Sequence, residues 1–581
     1  MNLFKRKTKT NGNNATQQLE IEVTGMTCGG CATHVEEALR KVKGVLEARV
    51  PAWQKKKAVV TMAEEVAAEK LTKAIGKAGY GAKVLDSGPI EKAVLSNGSN
   101  RHVEYDLVVI GTGGGGVAAA IRAAENGARV AIVEAGTIGG TCVNIGCVPS
   151  KTLIRAAEAF HIAGHQPFVG VNTKAEFIDW PAIRAQKDAL VGTLRQQKYV
   201  EVLKSYKNIT LIQGWASLDK NGDVVVDGRI LRADKVVIAT GAKPKRLPID
   251  GIETVEVLDS TSLMEIEKLP ESLIVIGGRA VALELGQAFA RFGTKVTVLQ
   301  RSERLLPEHE PEIGEALANY LRAEGIDVET GSTPQAIREE NGAKIITAKV
   351  RGEPRGMFIQ RGEQREFRAE HVFMAVGRRP NTKEMGLEKA GVELDEKGFI
   401  IVDAHLQTGN PKIYAAGDVT TLPEFVYVAA AAGGIAAENA LNGNSQKLDL
   451  AILPAVIFTD PQIATVGLTE AQAREKGCDV KISNLPLEYV PRALAARNTR
   501  GFIKLVADRD TDRLLGAHVL ASEGGEIIQT AALAIKFGRE HGFTVAALRN
   551  MLFPYLTQVE GIKLAAQTFE KDVAMLSCCA G

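Results

Sequence analysis

A strand, a glycine-rich turn, a helix and a second strand occur twice in this chain, and no other feature restricts its fold as much. The first copy is YDLVVIGTGGGGVAAAIRAAENGARVAIVEA, starting at Tyr105; the second is SLIVIGGRAVALELGQAFARFGTKVTVLQR, starting at Ser272. Each closes on a residue 23 positions after its first glycine, Glu134 after Gly111 and Gln300 after Gly277. In a unit of this kind the glycines let the backbone approach a pyrophosphate held by the helix N-terminus, and the closing residue faces the adenosine ribose. Two dinucleotide sites follow, and with them an α/β architecture.

With 581 residues there is room for about four compact domains. Apolar residues at 45% and charged residues at 24% are ordinary for a globular protein, which excludes disordered and disulfide-scaffold classes. Lys and Arg total 71 against 69 Asp and Glu, with no long basic block, so no nucleic-acid partner is expected. The longest nearly apolar stretch, Phe425 to Ala437, is shorter than the roughly 20 residues a bilayer requires. No stable membrane association is expected. The opening MNLFKRKTKTNGNN has basic residues without an apolar run behind them, so a cytoplasmic location is expected.

The chain divides by composition. Residues 1–18 read as a polar, disordered tail. In 19–86 a βαββαβ pattern fills a small ferredoxin-like domain, and 87–102 reads as a linker. The first nucleotide unit opens a domain over 103–240 that resumes over 375–452; the second occupies 241–374. Residues 453–581 mix alternating strands with Ala-rich helices, an α+β domain with an apolar face suited to closing a homodimer.

Gly111, Gly113 and Gly116 complete GxGxxG in the first unit, and Glu134 can accept hydrogen bonds from a ribose hydroxyl. In the second unit Gly277 and Gly278 are present, but Arg279 stands at the second glycine and Ala282 at the third. Arg279 either points away from the pyrophosphate or contacts it. No acid closes this unit; Gln300, Arg301 and Arg304 stand there instead, and guanidinium groups suit a 2′-phosphate. NADPH is therefore expected over NADH.

Six of the seven cysteines fall in close pairs. In a reducing compartment such pairs bind metal or carry redox chemistry more often than they brace a fold. Cys142 and Cys147, in GGTCVNIGCVPSK, follow Glu134 closely; on one helix their thiols would stand about a turn and a half apart, near enough for a disulfide after modest unwinding. Zinc would need further ligands, and no nearby His or Cys completes a set. Cys28 and Cys31 lie in GMTCGGC at a turn entering a helix, with Thr27 a candidate cap, where thiol pKa values fall and soft ions of low coordination number are favoured. A thioredoxin-type redox pair is the alternative there. Cys578 and Cys579 end the chain in SCCAG. Cys478, in EKGCDV, carries no functional reading.

The run CVNIGCVPSK, with GTGGGG before it and ATGAKP, GRRPNT and AAGDVT after it, resembles the flavoprotein disulfide reductases over residues 103–581. That resemblance implies FAD at the first site, with Gly140, Thr141, Thr240 and Gly241 lining it, Glu134 at the adenosine ribose and Asp418 near the ribityl chain. It implies that Cys147 is the thiolate next to the flavin and Cys142 the thiol that meets the substrate, with Lys151 paired to Glu284 beside the ring. Residues 19–86 are similar to heavy-metal-associated domains. Members of the reductase family usually carry a His-Pro-Thr motif near the C-terminus; here FPYLTQVEG, aligned on Thr557 and Glu560, puts Tyr555 in the His position. A phenol with a pKa near 10 is a poor base at neutral pH, so an organic disulfide substrate loses support. The combined features resemble the Hg(II)-reducing branch of the family. The resemblance implies Hg(II) delivered on small thiols or thiol proteins, held by Cys28 and Cys31, then by Cys578 and Cys579, then by Cys142 and Cys147 of a partner subunit, with Tyr199 and Tyr555 as site tyrosines in composite active sites. A dihydrolipoamide- or glutathione-type reductase fused to a metal-binding domain is the runner-up, and a metallochaperone on a flavin scaffold the third reading.

Overall fold

The computed structural model describes residues 17–26, 29–50, 56–62, 66–85, 103–176, 178–350, 354–355, 358–359 and 362–576. The chain separates into two units, residues 1–102 and 103–581.

In the N-terminal unit, strand Gln17–Thr24 is followed by helix Gly29–Arg40, strands Val45–Arg49 and Lys57–Met62, helix Ala68–Lys77 and strand Gly81–Val84. Gln17–Thr24 lies inside an antiparallel sheet between Lys57–Met62 and Gly81–Val84. It begins two residues inside the stretch expected to be a tail, because Gln17 and Gln18 pair with Met62 and Thr61. Alternation along this strand buries Ile21 and Val23, and the i, i+4 pair Leu71 and Ile75 closes over them from the second helix.

The larger unit starts with a parallel five-stranded sheet in the order Ile413–Ala415, Ala233–Ile238, Tyr105–Ile110, Val130–Glu134, Ile209–Gln213. Its central strand is apolar because both faces are covered: Leu107, Val108 and Val109 have no exposed surface. The apolar stretch after Phe425 forms helix Val426–Asn442, packed on helix Gly114–Glu125 so closely that a Cβ at Gly433 would stand 1.9 Å from the Gly115 carbonyl oxygen. Its composition reflects helix packing. Among the described residues no helix is long and apolar enough to cross a membrane.

The second nucleotide unit builds a four-stranded parallel sheet, Asp327–Thr330, Lys295–Gln300, Ser272–Ile276, His371–Met374. The two motifs that lead into and out of it, ATGAKP and GRRPNT, pair with each other: Ala242–Pro244 runs antiparallel to Arg378–Pro380. Beyond it, five antiparallel strands in the order Ala455–Ile457, Gln462–Gly467, Leu514–Ala521, Phe502–Asp508, Val480–Pro486 carry helix Gly524–His541. That domain leaves Leu533, Phe537, Met551, Leu552 and Leu556 exposed.

Candidate active site

The first glycine turn is a cradle that side chains would fill. Gly111 has φ +104, and a Cβ there would lie 2.4 Å from the Ala239 carbonyl oxygen; at Gly116 it would lie 1.9 Å from that of Gly111. Gly113 caps helix Gly114–Glu125 in an extended conformation, which leaves the first helical N–H groups facing outward. Glu134 ends its strand with one carboxylate oxygen accepting from the Thr112 N–H at 3.0 Å and from the Thr112 hydroxyl, and the other from the Gly136 N–H at 2.8 Å. A dinucleotide fits this donor set and this bare backbone.

The cysteine segment is pressed against that cradle. Gly140 has φ +63, and a Cβ on it would come within 2.5 Å of the Gly113 Cα. Cys142 and Cys147 therefore emerge beside the first site, but not on one continuous helix. Cys142 belongs to helix Gly140–Ile145 and Cys147 opens helix Cys147–Gly164, with Gly146 at φ −124 and ψ −110 breaking the path between them. A glycine suits the break because a Cβ there would lie 2.9 Å from the Thr141 carbonyl oxygen. The break sets the two thiols against each other, each the largest influence on the other's ionisation.

That contact polarises the pair. Cys147 is lowered from 9.0 to about 7, first by the hydrogen bond from Cys142 and then by the Lys151 ammonium, against burial and the Glu284 carboxylate. The start of a helix adds partial positive charge in the same sense. Cys142 moves far upward, chiefly because its proton is the one shared with Cys147 and then because it is buried. Around pH 7 Cys147 is close to half ionised, while Cys142 keeps its proton and donates it toward the Cys147 sulfur.

Lys151 stands one helical turn beyond Cys147 and donates to Glu284 Oε2 at 2.7 Å. Glu284 is 5% exposed, and its other oxygen accepts from the Phe458 N–H at 2.8 Å. The Lys151 ammonium also lies 4.9 Å from the centre of the Phe458 ring. Tyr199 sits in a π-helical turn, Gln196–Val200, with its ring against Gly139. Burial first, then the charges of Cys142 and Cys147, push its phenol upward, so it stays protonated and can donate but not act as a base.

Known proteins share this arrangement. The pyridine nucleotide-disulphide oxidoreductase family matches residues 105–433, its dimerisation domain residues 453–566, and the heavy-metal-associated domain residues 20–81. A mercuric reductase of Lysinibacillus sphaericus is 44% identical over 567 residues, covering 97% of this chain and 100% of the relative. The chain belongs to the mercuric reductase family. A second member, from Acidithiobacillus ferrooxidans, is 46% identical over 568 residues, 97% of this chain and 99% of that one. Two solved structures resemble it: the HOCl-induced flavoprotein disulfide reductase RclA of Escherichia coli, with TM-score 0.69 and 30% identity over 79% of this chain and 98% of that one, and LpdA of Mycobacterium tuberculosis, with TM-score 0.70 and 26% identity over 80% and 100%. In this chain the match to the oxidoreductase family precedes the match to its dimerisation domain.

The other site residues are spread around this centre. Asp418 follows strand Ile413–Ala415, 4.0 Å from Arg378 Nε, and burial raises its pKa. Glu424, which the sequence did not single out, is raised by burial and by Asp418. The Thr240 hydroxyl donates to the Asn381 carbonyl oxygen at 2.9 Å, and Gly241, at φ +68, accepts from the Asn381 N–H at 2.9 Å, which ties the two connecting segments together. Thr141 is half-buried in helix Gly140–Ile145. In the second unit Gly277 has φ +128 and no room for a Cβ, while a Cβ on Gly278 would meet Gln300 and Leu305 at 2.9 Å. Gln300 does not stand in for a ribose-binding acid: it is buried, and its amide donates to the Arg304 carbonyl oxygen at 3.4 Å. Arg301 is exposed and Arg304 half-buried on the turn so held. Tyr555 is 55% exposed in the C-terminal domain; Lys151 and Glu284 act on the cysteine pair, and the pair in turn raises Tyr199. Cys31 lies in helix Gly29–Arg40 against the small core; Cys28, Cys578 and Cys579 lie outside the described residues.

Proposed function

We infer that this chain reduces thiolate-bound Hg(II) to Hg(0), with NADPH as the electron source, FAD as the carrier and Cys142 and Cys147 as the ligands of the ion. The observation that carries the inference is the thiol–thiolate pair set beside the glycine cradle and faced by a phenol that cannot accept a proton at neutral pH. Bound FAD and NADPH supply the two electrons that the ion takes up. Gly111, Gly113, Gly116, Glu134, Gly140, Thr141, Thr240, Gly241 and Asp418 hold the first of these, with Lys151 beside it; Gly277, Gly278, Arg301 and Arg304 hold the second.

The pair is suited to ligand exchange. A mercury ion carried by two small thiolates meets Cys142 first, which binds it as the Cys142 proton passes to one departing carrier. The Cys147 thiolate then displaces the second carrier, so the ion sits between the two inner sulfur atoms while one thiol and one thiolate depart. Reduction by two electrons gives Hg(0) and returns both sulfur atoms as thiolates, and Cys142 takes up one proton from solvent to restore the starting pair. Lys151 stabilises negative charge beside the pair, and Glu284 fixes its position. Tyr199, and Tyr555 from a partner subunit, donate hydrogen bonds to the sulfur atoms that hold the ion.

Cys28 and Cys31 gather the metal on the N-terminal domain, Cys578 and Cys579 pass it across a homodimer interface, and small thiols or thiol proteins deliver it. The domain limits are 19–86 for metal gathering, 103–240 with 375–452 for FAD, 241–374 for NADPH and 453–581 for the dimer; the location is the cytoplasm. NADPH oxidation measured with Hg(II) in excess thiol, against lipoamide and oxidised glutathione, tests the substrate. Turnover with Hg(II) alone is expected; faster turnover with either organic disulfide would refute the reading.

A further inference from the structure

Arg279, at the second glycine position of the second unit, has no part in the chemistry above. Its backbone is extended, at φ −116 and ψ −177, so the turn accepts a side chain there without strain. The guanidinium is 65% exposed, and its Nη2 lies 3.4 Å from Glu308 Oε2. Glu308 belongs to the turn that carries Arg301 and Arg304. Arg304 Nη2 donates to the Pro307 carbonyl oxygen at 2.8 Å, so Arg279 and Arg304, from different segments, are fastened to adjacent residues.

The turn beneath them is fixed. Leu305 and Leu306 are fully buried, and the Leu306 N–H donates to the Gly278 carbonyl oxygen at 3.0 Å. Gly314 lets the next helix pass, since a Cβ there would stand 2.3 Å from the Leu305 carbonyl oxygen. At its far end Glu310 is buried and accepts from Lys504 Nζ at 2.9 Å. An exposed ion pair such as Arg279 with Glu308 contributes little, so a doubly charged phosphate displaces the carboxylate readily.

We propose that Arg279 is a third guanidinium for the 2′-phosphate of NADPH, joining Arg301 and Arg304, and that Glu308 holds it at the rim until the phosphate takes it over. The proposal rests on the reading of the second unit as an NADPH site. Binding of adenosine 2′,5′-bisphosphate and of ADP to the FAD-loaded protein, followed by calorimetry, tests it without turnover. Arg279→Ala is expected to weaken the bisphosphate about tenfold, the loss of one charged hydrogen bond, and ADP less than about twofold. Arg279→Lys should restore part of the loss. Glu308→Gln should tighten the bisphosphate, and that gain should shrink when Arg279 is absent. A wild-type protein that binds both nucleotides equally would overturn the NADPH reading itself. A wild-type preference that survives Arg279→Ala unchanged, or an equal loss for both nucleotides, would overturn the role of Arg279 alone.

Discussion

The hydrogen bond between the two inner cysteines is the first thing to remove. In Cys142→Ala, Cys147 keeps the helix start and Lys151 but loses the donor that does most to lower it. The fall from 9.0 to about 7 corresponds to about 2.7 kcal/mol in the proton-binding equilibrium, at about 1.36 kcal/mol per decade. A hydrogen bond to a charged group contributes about 1.5 to 3 kcal/mol, so its loss should raise Cys147 by at least about one pH unit, toward the ordinary thiol value, with Lys151 and the helix start still opposing burial. The assay is the long-wavelength thiolate-to-flavin absorbance of the FAD-loaded variant, followed against pH. No disulfide can form in this variant, so the band reports Cys147 directly. Stability follows the same group. Its folded value is depressed, so the contribution is fully present above the unfolded value near 9.0 and is lost as pH falls through about 7. Because Cys147 is exposed, only about 1 kcal/mol of it is expected in the folding free energy of the dithiol protein. A midpoint unchanged by Cys142→Ala would refute the thiol–thiolate assignment, and a band that survives Cys147→Ala would refute the identity of the thiolate.

Lys151→Met should strand the buried Glu284 carboxylate and cost about 2 to 3 kcal/mol in denaturant unfolding, near the low end for a broken buried pair because Lys151 is 32% exposed; Glu284→Gln in the same chain should recover most of it. A chain starting at Val103 should keep FAD and Hg(II)-dependent NADPH oxidation, and loss of either would make the N-terminal domain part of the active site. Replacing Cys578 and Cys579 with Ala should slow turnover most when Hg(II) arrives on bulky dithiol carriers and least when it arrives on halide, with NADPH reduction of the inner pair unaffected; identical rates with every carrier would remove the tail from the path.

Much of the site is legible in the chain because its requirements are local. A glycine at 111 or 116 answers to a clash within the same turn or with the adjoining strand, and Glu134 answers to a fixed spacing. The cysteine spacing announces a pair but not its geometry: four intervening residues fit a helix, and the break at Gly146, φ −124 and ψ −110, that brings the two thiols together is not written in that spacing. Gln300 misleads, since its position suggests a ribose contact and its amide goes to the Arg304 backbone. Glu424 had a faint signal, an acid six residues beyond Asp418, but its meaning depends on burial that spacing does not reveal.

What the sequence hides altogether is how the last domain holds the redox centre. Phe458 binds Glu284 through its backbone and Lys151 through its ring, and it stands two residues before Asp460. Asp460 is gripped by Arg291 at 2.7 Å and Arg500 at 2.9 Å, and both arginines also hold Glu324, at 2.7 and 3.0 Å. The carboxylates are kept ionised against burial by those guanidinium groups. Arg291 lies on the helix that carries Glu284, two turns further on. One helix of the second nucleotide unit therefore reaches the C-terminal domain twice, once at the Lys151 partner and once at a four-residue ionic network that fixes the segment bearing Phe458. Removing one network member leaves the others with one partner fewer and the buried charges out of balance, so its cost falls on the geometry at Lys151 as well as on stability. The position of the charge beside the cysteine pair is thus set by residues from three parts of the chain, none of which carries a motif for that role.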